Sequence, residues 1–396
     1  MLDLLAVSFI AIYIFFWFSP NIIELPYNFS LYLSLSMDLH LKIWFIVSLI
    51  PLVANLQHSV HATPEVPCLF IFGDSLADNG NDNYLATTAK ANYQPYGIDF
   101  SDGPTGRFCN GRTMSDIIGQ RLGFDHFIPP FATARGRDIL MGVNYASGGG
   151  GIRDETGMQL GARISMNQQL LLHQITISRI ALLLGSRQAA TNYLSKCIYL
   201  VGMGSDDYIN NYLLPQYYPT SSLYTPDQYA TILIRQYSQQ LRTLHKVGGY
   251  KIVTMGLGLI GCTPAEIAIY GTNGSTCVDT INNDVQLFNV KLKSLVDDLN
   301  NDMTDAKFIY VNVTGITSGG TFTAGFTVTN VPCCIVSSST GLCVPNGVPC
   351  SNRSTHAFYD AFHPTESVNE FVAARAYNAQ TAFDAYPNDI HGLARL

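Results

Sequence analysis

Three residues in this 396-residue chain have the types needed for nucleophilic catalysis, with Ser75 toward the start and Asp360 and His363 close to the end. Ser75 follows the apolar run Cys68 to Phe72 and the breakers Gly73 and Asp74, so a strand stopping there presents one hydroxyl at a sheet edge. In open α/β sheets ligands bind beyond the carboxyl ends of the strands, and a serine placed there becomes a nucleophile when a base takes its proton. Alone, Gly-Asp-Ser reads equally well as the cap of a following helix. The base comes from Phe358-Tyr359-Asp360-Ala361-Phe362-His363-Pro364. In a turn, residues at that spacing face each other. Asp360 then accepts from one ring nitrogen of His363 and leaves the other to receive a proton. An isolated Asp-His pair is more often a surface feature, and it is the pairing with Ser75 that gives it chemical meaning.

The elements that position these residues alternate along the chain. After Cys68 to Phe72, strand candidates are Val143 to Tyr145, Lys196 to Val201, Lys251 to Met255 and Lys307 to Val311. Three of these four runs end in glycine-rich turns: Ser147 to Gly151, Gly202 to Asp207, and the glycines after Met255. Helical periodicity predicts helices over Arg163 to Leu184, from Thr225-Pro226 to about Val247, over Asn282 to Asn300, and from Thr365 to Tyr377. Strands alternating with helices imply parallel βαβ units and a doubly wound α/β sheet, and no repeat or linker divides residues 63–396.

The net charge of −7, a charged fraction of 13% and the lack of a Lys/Arg-rich patch point away from nucleic-acid binding. At the N-terminus, Leu4 to Phe18 is apolar but short for a membrane span. Lys42, the apolar run Ile43 to Ala54 and Ser59-Val60-His61-Ala62 read as an export signal and its cleavage site. This predicts Met37 as initiator, 1–36 as an upstream extension or hydrophobic anchor, 37–62 as a signal peptide and a mature chain from about Thr63. Nine cysteines fit export, with Cys333, Cys334, Cys343 and Cys350 in one loop-like stretch and Cys262 and Cys277 bracketing another. Neither group has zinc-site spacing, so disulfides are expected for most, with at least one free thiol and Cys68 the candidate. Asn273, Asn312 and Asn352 head N-glycosylation sequons, as does Asn28 in the segment expected to be absent.

Four ordered blocks together resemble the plant GDSL esterase/lipase family of SGNH hydrolases. They are Phe72 to Leu76 with Asp78, Gly80 and Asn81; Asn144 to Gly149; Gly204 to Tyr208; and Asp360 to His363. The resemblance runs from about Val66 to Tyr377, through Pro104 to Phe108 and Gly256 to Cys262. It implies a flavodoxin-like three-layer αβα sandwich, secretion to the apoplast or cell wall, and hydrolysis of carboxylic esters without metal or organic cofactor. The implied partner is a small-molecule or lipid ester, with transient contact to a lipid or cell-wall surface. By position, Ser75 matches the nucleophile, His363 the general base and Asp360 its orienter. The oxyanion donors would be the Ser75 N–H, the Gly149 N–H and the side chain at 206, with Gly150 and Gly151 as alternatives because the glycine run blurs the register.

The third block departs from the family's Gly-x-Asn-Asp, since this chain reads Gly204-Ser205-Asp206-Asp207. An ionised Asp206 has no proton to donate and repels a developing oxyanion. Three outcomes follow from that departure: a protonated Asp206, a slow enzyme, or a fold that has lost the reaction. The leading expectation is a secreted serine esterase, and the alternative is a catalytically impaired binding protein for a lipid or cell-wall ester. Acyl transfer to an alcohol would use the same residues. Elsewhere, Tyr208 to Tyr218 reads as an aromatic loop packed on the sheet or lining a cleft, Asp78, Asn79 and Asn81 as supports of the nucleophile turn or simply as capping residues, and Arg107 as a loop anchor. His173, His245 and His391 read as core or surface residues.

Overall fold

The apolar run after Pro67 forms β1 (Leu69–Gly73), and the later runs form β2 (Ile198–Gly202), β3 (Lys251–Met255) and β4 (Lys307–Val311). The four lie side by side in that order, all parallel. A computed structural model describes residues 63–396, which form one compact unit. The expected extension, export signal, Met37 start and Asn28 sequon lie outside the described residues.

Val143 to Tyr145 runs along the free side of β1. Ile71 N–H donates to Val143 O at 3.0 Å and Tyr145 N–H to Ile71 O at 2.8 Å. It makes only a bridge with β1, through Asn144. Gly142 allows the approach, because a Cβ there would collide with the Leu69 carbonyl. Counting this segment, the spatial order is second, first, third, fourth, fifth, the flavodoxin-like order. The periodicity did not reveal β5 (Ala385–Tyr386), a two-residue strand antiparallel to β4.

Alternate strand residues bury on opposite faces, as a parallel sheet covered on both sides requires. Phe70, Phe72, Tyr199 and Val201 pack with helices α2 (Met166–Leu184), α3 (Pro226–Lys246) and α4 (Asp279–Asp302). Leu69, Ile71, Ile198 and Leu200 pack with α1 (Met114–Arg121) and α5 (Glu366–Tyr377). This is the three-layer α/β arrangement expected. Helix α2 starts a few residues inside its periodic run because a cap sets it, whereas α3 starts at Pro226 with Thr225 as its cap, as its sequence predicts. The Ser165 hydroxyl accepts from Gln168 N–H while the Gln168 side chain returns to Ser165 N–H, and Thr225 and Gln228 repeat the device at α3.

Four disulfides join Cys68 to Cys197, Cys262 to Cys277, Cys333 to Cys350 and Cys334 to Cys343. The expectation of a free thiol at Cys68 is therefore corrected, since the buried free thiol is Cys109. The reason is register: Leu69 pairs with Ile198, so the residues just before them, Cys68 and Cys197, meet at the sheet's entrance. Cys109 instead donates to Gly111 O at 2.9 Å, and burial pushes its thiol up, away from thiolate reactivity. No helix among the described residues is long and apolar enough to cross a membrane.

Candidate active site

β1 ends where the Gln169 side chain of α2 clamps Gly73, whose carbonyl also accepts from Ser147 N–H at 3.2 Å. Gly73 N–H donates to Gln169 Oε1 at 3.0 Å, and Gln169 Nε2 donates to Gly73 O at 2.8 Å. Beyond this clamp the Asp74 side chain accepts from Leu76 N–H, and Asp74 O accepts from Ala77 and Asp78 N–H. The chain turns tightly, and Ser75 stands half-buried at its crest while Asp74 is buried beneath. The Ser75 N–H has no hydrogen-bond partner among the described residues.

The structure brings Ser75 together with the other two predicted residues. Ser75 Oγ lies 2.7 Å from His363 Nε2, and His363 Nδ1 lies 2.8 and 2.9 Å from the two carboxylate oxygens of Asp360. Asp360 is fully buried, and both of its oxygens have donors: Oδ1 accepts from the Phe362 and His363 N–H groups, and Oδ2 from the Tyr96 hydroxyl at 2.6 Å. Tyr96 in turn accepts from Cys343 N–H at 3.1 Å, which ties the carboxylate to the disulfide-braced loop. Phe108 covers one face of His363, with ring centroids 4.9 Å apart.

Of the two readings of Asp78, Asn79 and Asn81, Asp78 acts as a cap for the turn that follows, and the two asparagines tie this stretch to neighbouring segments. Asp78 Oδ1 accepts from Gly80 and Asn81 N–H, the Asn81 amide donates to Asn144 O and Ala146 O, and the Asn79 amide donates to Ile128 O. Asn81 and Asn144 thus join the first and second blocks. In the glycine run, Gly150 N–H is committed to Ser147 O at 3.0 Å, whereas the Gly149 and Gly151 N–H groups have no partner among the described residues. The backbone past the run is held by Asp207, which accepts from Ile152 and Arg153 N–H and the Thr156 hydroxyl.

Asp206 sits in a short helical turn, Ser205–Asp207, at the carboxyl end of β2. It is 5% exposed, and its Oδ1 accepts from the Asn210 amide at 2.5 Å. Burial, with Asp74 nearby, pushes its carboxyl up to about 8. Burial likewise raises Asp74 to about 7 and Asp207 to about 6, and burial together with Asp78 raises Asp82 to about 10.

Other candidates fall outside the site. The aromatic loop packs inward through Tyr208 and Tyr212, the latter stacked on Tyr229 at 4.7 Å. Arg107 anchors its loop by a two-pronged pair with Asp116 and a bond to the Thr105 hydroxyl. His173 is a core residue, its imidazole pushed down to about 3 by burial and bonded to the Tyr145 hydroxyl. His245 faces Asp305, and His391 meets Tyr377 and Glu65. The sequence reading missed Tyr96 and Gln169, which no local spacing marks. It also assigned no role to Phe108 and Asn144, although both lie inside runs it had singled out.

The GDSL-like lipase/acylhydrolase family profile matches residues 69–376. The Arabidopsis thaliana protein GDSL esterase/lipase At1g29670 is 49% identical over 367 residues, covering 91% of this chain and 100% of the relative. GDSL esterase/lipase At4g18970 of the same plant is 49% identical over 349 residues, covering 87% of this chain and 97% of the relative. GDSL esterase/lipase At5g45670, also from Arabidopsis thaliana, is 47% identical over 357 residues, covering 88% and 98%.

Proposed function

The chain belongs to the GDSL-like lipase/acylhydrolase family, a family of carboxylic ester hydrolases, and from that premise we propose that it is a secreted serine esterase working through an acyl-enzyme on Ser75. The observation that carries this reading is the unbroken chain of contacts from Ser75 Oγ through His363 to Asp360. Ser75 Oγ attacks the ester carbonyl as its proton passes to His363 Nε2. His363 then gives that proton to the departing alcohol oxygen, leaving the acyl group on Ser75. A water molecule, deprotonated by His363, attacks the acyl carbon and releases the carboxylic acid, and Ser75 regains its proton. Asp360 keeps a proton on Nδ1 and balances the imidazolium formed in each half. The negative oxygen of each tetrahedral intermediate is met by the uncommitted N–H groups of Ser75 and Gly149.

Trapping the intermediate tests this directly. Rapid acid quench of the purified chain during turnover of p-nitrophenyl butyrate is expected to leave a butyryl mass increment on the peptide containing Ser75. Turnover with the increment on another residue, or with none, would overturn the proposal.

Secretion is supported by eight cysteines committed to disulfides. The sequons divide by structure. Asn273 and Asn352 are exposed, whereas Asn312 is half-buried and caps a helical turn, its Oδ1 accepting from Gly315 N–H at 3.0 Å. Protein expressed through a plant secretory pathway is therefore expected to carry glycans on Asn273 and Asn352 and none on Asn312. Glycopeptide mass spectrometry reads this, and an occupied Asn312 would contradict it.

A further inference from the structure

Resting on the esterase reading, we infer that Asp206 completes the oxyanion hole as a neutral carboxylic acid that donates its own proton to the substrate's carbonyl oxygen, so that alkaline ionisation of this group switches the enzyme off. Asp206 emerges from the carboxyl end of β2, next to the strand that carries Ser75, with Gly73 and Gly202 in register. Its two oxygens have different surroundings. Oδ1 accepts from Asn210, while Oδ2 is buried with no partner among the described residues. An ionised carboxylate with one buried oxygen unpaired, between Asp74 and Asp207, would be poorly tolerated. A protonated Oδ2 lacks only an acceptor. The carbonyl oxygen of a bound ester is one, and it becomes a stronger acceptor as negative charge develops.

The groups facing Asp206 reinforce this state. Asp74 from the nucleophile turn and Asp207 from its own turn both raise its affinity for the proton, while Asn210 and His363 act in the opposite sense. Asp74 and Asp207 are themselves raised by burial, to about 7 and about 6, and a negative charge on either holds the Asp206 proton more firmly. Asp82, raised to about 10, stays neutral through that range. A carboxylic acid in the place of an amide thus keeps a donor where an ionised group would repel. The departure that suggests a non-catalytic protein becomes a pH limit on catalysis.

A fluorophosphonate that phosphonylates the active serine, followed by the rate of Ser75 labelling between pH 5.5 and pH 9.5, tests this without knowledge of the natural ester. Wild type is compared with Asp206→Asn and Asp206→Ala, each checked for a native circular dichroism spectrum. Wild-type labelling is expected to fall roughly tenfold per pH unit above about 8. Asp206→Asn, which cannot ionise, is expected to stay within roughly tenfold of wild type at pH 6 and to lose the alkaline fall. Asp206→Ala, with no donor, is expected to label roughly 10²- to 10³-fold more slowly than wild type at pH 6. An identical alkaline fall in wild type and Asp206→Asn would overturn the inference alone, as would undiminished labelling of Asp206→Ala. So would an Asp206→Asn rate roughly 100-fold above wild type at pH 6, the mark of an Asp206 already ionised. Failure of Ser75 to label in wild type and in Asp206→Asn at every pH would instead overturn the esterase reading, and this inference with it.

Discussion

Ser75→Ala is expected to lower kcat for p-nitrophenyl butyrate by roughly 10⁶-fold, the scale found when the nucleophile of a serine hydrolase is removed. The loss is that large because a methyl group in place of the hydroxymethyl leaves His363 with no hydroxyl to deprotonate, so the covalent route closes and only binding and the oxyanion donors remain. The fold should not suffer. The turn is built from backbone and neighbouring side chains, through Gln169 on Gly73 and Asp74 on Leu76 N–H, and the Ser75 side chain bonds to His363. The check is kcat and KM beside the melting temperature. Hydrolysis persisting above roughly a thousandth of the wild-type rate, with a native melt, would remove Ser75 from the nucleophile's role.

Asp360→Asn is expected to cost roughly 10⁴-fold in kcat with KM little changed, the loss measured when the corresponding aspartate of a serine protease is made an amide. The geometry here says why. The Phe362 and His363 N–H groups both donate to Oδ1, so an asparagine keeps its carbonyl there and turns its NH₂ toward His363 Nδ1 and the Tyr96 hydroxyl. An NH₂ facing Nδ1 makes that nitrogen the acceptor and puts the ring proton on Nε2. That proton then points at Ser75 Oγ, and the base is occupied. A purely structural role for Asp360 would appear as a lowered melting temperature. The orienting role appears as a lost kcat and a lost low-field proton resonance on Nδ1 in a folded protein. A folded Asp360→Asn variant that keeps both would contradict it.

The strands and the Asp360 to His363 turn were legible because their signals are local. A branched or aromatic run ending in glycine is a strand that stops, whatever surrounds it, and three residues in a turn bring a carboxylate to an imidazole by backbone geometry alone. The helix bodies were legible for the same reason, and Thr225 and Pro226 marked the start of α3, whereas α2 starts inside its periodic run, after the Ser165 cap, and α4 starts before its run with no side-chain cap. β5 was missed because two residues carry no periodicity. Cys68 was misread because its apolar, strand-like setting marks burial and says nothing of which thiol lies across the sheet.

By itself the sequence determined which residues have types suited to nucleophilic chemistry, that β1 ends under Ser75, and that Asp360 lies within one turn of His363. Tertiary structure decided that a histidine 288 residues away reaches Ser75, and that Tyr96, 264 residues from Asp360, secures the carboxylate. It also decided that Cys68 meets Cys197 and that Asp206 is buried beside Asp74, which pushes its carboxyl up. The dividing line is physical. Backbone preferences act within one turn or one strand, whereas side-chain partnership and ionisation depend on sheet register and exclusion of water, which exist only once distant segments have packed.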